Sequence, residues 1–105
     1  MIDGNHAIVL SCALFAVGLA GLLTRRNLVL VFISIEIMLN AAALNLVALA
    51  RFSGGDLARA ANADAAGLLI LFIAACEVAV GLGILLGIHR LHGSVDADKI
   101  ESLKE

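Results

Sequence analysis

Three long apolar runs leave this chain one kind of fold. Residues 4–24, 27–50 and 65–88 take up most of a 105-residue sequence, and the only Asp, Glu, Lys or Arg inside them are Glu36 and Glu77. Each run holds about 20 to 24 residues, enough at ~1.5 Å per residue to cross a hydrocarbon layer as a helix. The runs are continuously apolar rather than alternating, so helices are expected and barrel strands are not. A soluble domain of this size could not bury a sequence that is 62% hydrophobic and 15% charged. The expected fold is all-α: an integral membrane bundle of three transmembrane helices, a single membrane domain with a polar tail over 91–105.

Other classes fall away quickly. No basic cluster is interleaved with aromatics, so nucleic acid is not an expected partner. Cys12 and Cys76 fall in different spans without the companions a metal site or disulfide needs, and they read as small apolar core residues. The leader 1–6 carries Asp3 and no Lys or Arg, and the run behind it is longer than a signal core, so the first span is expected to persist as a helix.

Basic residues near the span ends set an expected orientation. Arg25 and Arg26 sit in the short turn between spans one and two, and Arg90, Lys99 and Lys104 follow span three. Arg51 and Arg59 on the other side are offset by Asp56 and Asp64. This places the first turn and the C-terminus in the cytoplasm, with the N-terminus and an exposed Gly-Gly-bearing loop over 51–64 outside. The tail over 91–105, with Val95, Ile100 and Leu103 at intervals, either stays free or docks on a partner, docking being favoured.

Glu36 and Glu77 are the candidate functional residues. A charged side chain at the centre of a spanning helix costs about 3 kcal/mol on insertion scales. Keeping a glutamate protonated at pH 7 costs about 3.7 kcal/mol. The two penalties nearly match, so proton gain and loss are close to balanced there, as a proton-transfer site requires. Glu36 lies ~12 Å from the cytoplasmic start of span two and Glu77 ~16 Å from the cytoplasmic end of span three, counted at 1.5 Å per residue. Both therefore sit in the central part of the membrane and could belong to one lateral path.

Their neighbours fit. Asn40 follows Glu36 by four residues on the same helical face and can support it with a hydrogen bond or a held water. Ala74 and Gly81 flank Glu77 on its own face and leave room for a partner helix or for water. Ala75, Ala79, Gly83 and Gly87 form a small-residue line suited to close helix packing, and Ala13, Ala16, Gly18, Ala20 and Gly21 make the first span packable as well. Asn45, roughly opposite Glu36, reads as packing glue. Arg25 and Arg26 read as topology determinants, with contact to a partner or admission of protons as the alternative. His6, His89 and His92 read as solvated boundary residues. No Trp or Tyr supplies an aromatic belt, so partner subunits as well as membrane lipid are expected to cover the surface. The bland reading of the two glutamates is a static bond that fixes helix assembly.

Three segments in order, Leu23-Thr24-Arg25-Arg26-Asn27, Ser34-Ile35-Glu36-Ile37-Met38-Leu39-Asn40-Ala41 and Ala74-Ala75-Cys76-Glu77-Val78-Ala79-Val80-Gly81-Leu82, carry a resemblance. The chain resembles the subunit K family of respiratory complex I, the small three-helix component of the NADH:quinone oxidoreductase membrane arm. The likeness covers essentially the whole chain. It implies a place in a bacterial inner membrane, between the quinone-proximal subunits and the first antiporter-like subunit. It implies that Glu36 and Glu77 belong to a hydrated proton path coupling quinone reduction to pumping, with Arg25 and Arg26 on the cytoplasmic turn. It also implies that NADH, flavin, iron–sulfur clusters and quinone are handled by other subunits and that this chain binds no cofactor or metal.

The likeness departs at one place. Relatives commonly open helix three with Asp-Gly-Gln-Val, where this chain reads Asn62-Ala63-Asp64-Ala65 after a longer loop, and Asp64 is expected to cap that helix. Three other functions remain open from residues alone: a small subunit of a multisubunit cation/proton antiporter, a passive membrane scaffold, and a small multidrug exporter. The exporter is disfavoured by three spans, a second glutamate and no Trp or Tyr to receive an aromatic cation.

Overall fold

A computed structural model describes residues 3–98. The chain forms three helices, α1 (Gly4–Thr24), α2 (Leu28–Phe52) and α3 (Leu57–His92), all long and apolar enough to cross a membrane. The turn between α1 and α2 is too short for anything but an antiparallel pair. Asn27 opens α2, its side-chain oxygen accepting from the Val29 amide at 2.9 Å. The helices stand in a row with α2 in the middle, packed on both neighbours, while α1 and α3 scarcely meet.

Small residues at seven-residue spacing build both seams. Gly4, Ser11 and Gly18 are buried on α1, facing Ser34, Ala41 and Ala48 on α2. A Cβ on Gly18 would stand 2.6 Å from Met38 Cγ and 2.9 Å from the Ser34 carbonyl, so the two backbones touch there. On the other side of α2, Ala43 and Ala50 face Gly67 and Ala74 of α3. A seven-residue repeat drifts only about 20° around an ideal helix, so it follows a long left-handed seam. The four-residue line Ala75, Ala79, Gly83, Gly87 drifts about 40° per step and is not the one used. Ala75 and Ala79 are exposed, and nothing lies within 4 Å of a Cβ placed on Gly83 or Gly87. The line faces away from α2 and stays open to a helix from outside this chain.

Helix α3 overruns the expected 65–88 at both ends. Its N-cap is Asp56, whose carboxylate accepts from the Arg59 amide at 2.9 Å. Asp64 therefore does not cap the helix. The alanine-rich stretch behind Leu57 has high helix propensity, which a reading by hydropathy overlooks. At 1.5 Å per residue α3 is about 54 Å long, well beyond the ~30 Å hydrocarbon layer. The expected loop over 51–64 shrinks to 53–56, where Gly54 turns the chain at φ +75°. Asp64 instead pairs with Arg51, Oδ2 to Nη2 at 2.5 Å and Oδ1 to Nε at 3.3 Å, tying the C-terminal end of α2 to the N-terminal part of α3. Replacing Asp56 with alanine is expected to destabilise the chain by about 1 kcal/mol, readable as a lower Tm in detergent.

The tail also differs from expectation. Leu91 and His92 are helical, and Gly93 ends α3 at φ +70°. Residues 94–98 then fold back onto this chain's own α1–α2 turn. The Leu28 amide donates to the Val95 carbonyl at 2.9 Å, and the Ala97 amide donates to the Arg26 carbonyl at 3.0 Å. Arg26 Nη1 meets Asp98 Oδ2 at 2.7 Å. Lys99, Ile100, Leu103 and Lys104 lie outside the described residues.

Candidate functional site

Glu36 occupies the α2 line that continues Ala43 and Ala50 by one seven-residue step, so it points along the α2–α3 seam. It is half-buried, and its Oε1 atom is shut off from the surface with no hydrogen-bond partner among the described residues. Native structures seldom leave a buried carboxylate oxygen in that condition. The surroundings are apolar: Val29, Phe32, Ile33, Ile37, Val78 and Leu82 line the same cleft, about 410 Å³ in volume, with Asn40 as the other polar residue.

Glu77 is held at the same level by the register of the seam. A Cβ on Gly81 would collide with the Phe32 ring, so these two residues oppose each other. One turn along each antiparallel helix in the same direction lie Glu36 and Glu77. Their settings differ. Glu77 is exposed on the flank of α3 turned away from the cleft walls Val78 and Leu82. Phe32 of α2 takes the room beside Gly81, and this chain alone does not bury Glu77.

Asn40 lines the Glu36 cleft and also a second space of about 470 Å³ that runs past Val47 and Leu68 to Asp64. No hydrogen bond joins Asn40 to Glu36. Asn45 does act in packing: within the α1–α2 seam its Oδ1 accepts from the Ser11 hydroxyl at 3.3 Å. Arg25 is exposed and its amide closes α1 by donating to the Gly21 carbonyl at 3.2 Å. Arg26 is drawn into the ion pair with Asp98, a partner that local sequence pattern did not reveal because 72 residues separate them. Cys12 and Cys76, expected in the core, are free and exposed, since neither falls on a seam.

Comparison with known proteins settles the family. Residues 6–105 match the family model described as NADH-ubiquinone/plastoquinone oxidoreductase chain 4L. The chain belongs to the chain 4L family. Among curated members, NADH-quinone oxidoreductase subunit 11 of Thermus thermophilus is 45% identical over 97 residues, covering 92% of this chain and 96% of that one. Subunit K of Wolinella succinogenes is 40% identical over 108 residues, and that of Helicobacter pylori 39% over 104, each covering 99% of both chains. The chain 4L match spans all three helices, and with them the seams that hold Glu36 and Glu77 at one level.

Proposed function

We propose that Glu36 and Glu77 pass protons within the membrane arm of a proton-pumping NADH:quinone oxidoreductase, of which this chain is a membrane-embedded subunit. The observation that carries the site reading is the pairing of two carboxylates at one level, one of them with a shielded oxygen that no group among the described residues satisfies. A carboxyl fixed only for assembly would have a donor opposite it, because an unpaired buried acceptor costs about 1–3 kcal/mol. Glu36 also lines a cleft, the route by which a proton or a water would come and go.

The chemistry is proton transfer alone. Electron carriers belong to other subunits, and this chain's share of the reaction is to present two titratable groups where bulk water does not reach. Glu36 holds a proton inside the seam; Glu77, on the uncovered flank, exchanges it with a neighbouring subunit. The quinone-proximal subunits and the first antiporter-like subunit are the proposed neighbours. The N-terminus faces outward and the Arg25–Arg26 turn faces the cytoplasm, following the bias of basic residues. In this reading Asn40 supports Glu36 by bridging its cleft to the outer space, and Arg25 and Arg26 mark the cytoplasmic rim.

Glu36→Gln is expected to reduce NADH-driven pumping partially, by about threefold, a modest share of what a positioned proton-transfer group contributes. Glutamine keeps the shape and removes the titration, so assembly should persist. Membrane potential measured alongside NADH oxidation in sealed vesicles checks this. Unchanged pumping in a fully assembled complex would return Glu36 to a packing role.

A further inference from the structure

The clefts along the α2–α3 seam form one line, and something closes its cytoplasmic end. Val29 and Leu82 line both the Glu36 cleft and a third space of about 400 Å³, whose remaining walls are Leu85, Leu86, His89 and Val95. Val95 belongs to neither α2 nor α3; the folded-back tail places it there. We propose that residues 93–98 are a hinged strap, pivoting at Gly93 and latched by Arg26 and Asp98, that opens and closes the cytoplasmic end of the cleft leading to Glu36. This inference rests on the proton-transfer reading for its purpose, but not for its geometry.

Hinge, cover and latch are each visible. Gly93 holds φ at +70°, a conformation glycine enters and leaves without the penalty a side chain imposes. Val95 is half-buried over the mouth, and its carbonyl caps the first amide of α2, a group that helix geometry leaves without an internal partner. The latch is weak by construction. The side chains of Arg26 and Asp98 are 78% and 58% exposed, and exposed pairs contribute little and are screened by salt. Among the described residues, two backbone hydrogen bonds, one wet ion pair and the half-buried Val95 hold the strap down.

The test reads access to the cleft in the assembled complex. In a chain carrying Cys12→Ser and Cys76→Ser, Leu82→Cys places a single thiol where the inner space meets the Glu36 cleft. Vesicles of both polarities are treated with a charged, membrane-impermeant thiol reagent. Adding Asp98→Ala is expected to speed labelling from the side of the Arg25–Arg26 turn by about two- to fivefold, the scale of an exposed pair. Raising salt with Asp98 intact should act in the same direction. Asn27 and Asp96 face each other across a β-bridge, so oxidised Asn27→Cys/Asp96→Cys locks the strap and should slow labelling below the parent rate until reductant is added. A labelling rate indifferent to Asp98→Ala, to salt and to the crosslink marks a fixed cap and overturns the proposal. Labelling reports access and pumping reports proton transfer, so a failure of the Glu36 assignment leaves a different trace.

Discussion

Glu77→Gln is expected to lower NADH-driven proton translocation by about tenfold while the complex assembles normally. A positioned proton-transfer group contributes on the order of 10² or more, and the nearby Glu36 offsets part of the loss. The effect should exceed that of Glu36→Gln because the two residues face different neighbours. Glu36 shares its cleft with Asn40, another polar group able to hold water when the carboxylate is gone. Glu77 stands on an apolar helix face, with Ile73, Val80 and Ile84 exposed beside it. No nearby polar side chain on that face can take over the exchange with a neighbouring subunit. Three measurements decide the matter: NADH oxidation, membrane potential, and the amount of intact complex on a native gel. A passive scaffold predicts full pumping in the assembled mutant, and that outcome would remove the proton path from this chain.

Gly18→Ala is expected to strip most of the chain from the assembled complex, although it adds only one methyl group. The new Cβ would fall 2.6 Å from Met38 Cγ, 2.9 Å from the Ser34 carbonyl oxygen and 3.2 Å from the Met38 amide nitrogen. Two of those atoms are backbone, so α1 must move bodily away from α2. Overpacking of this kind costs about 1–3 kcal/mol even where side chains adjust, and helices in lipid depend on close packing for their association. Trimming the partner with Met38→Ala should therefore not rescue Gly18→Ala. Gly67→Ala differs, because the atom it meets first is the Val47 Cγ2 methyl at 2.6 Å and the nearest backbone oxygen is 3.8 Å away. Val47→Ala should restore it. Quantifying the chain in purified complex for both pairs tests the distinction; rescue of Gly18→Ala by Met38→Ala would show the seam to be softer than its geometry.

Much of the site was readable in advance, and the shortfall has a definite cause. Glu36, Glu77 and Asn40 stand out as candidates because a polar group in an apolar run announces itself, and Arg25 and Arg26 because they form the basic pair of the first turn. Asp98 does not, since one acid in a polar tail looks like any other until the chain folds back 72 residues to meet Arg26. Asp64 stands where the hydropathy ends, whereas the helix continues on alanine propensity back to Asp56. The small-residue line on α3 was chosen by a four-residue spacing that membrane helices also use. The actual seams follow a seven-residue repeat, visible in hindsight as Gly4, Ser11, Gly18 and as Gly67, Ala74, Gly81.

The apolar runs by themselves determined three membrane-crossing helices and one carboxylate deep within each of the last two. Length and hydropathy are properties of position along the chain, and a bilayer reads them without reference to any other contact. The tertiary structure alone decided which way each carboxylate faces, with Glu36 in the seam and Glu77 on the open flank. Helices apolar all round carry no polar face to fix their rotation, so that choice falls to the few small residues where two backbones approach.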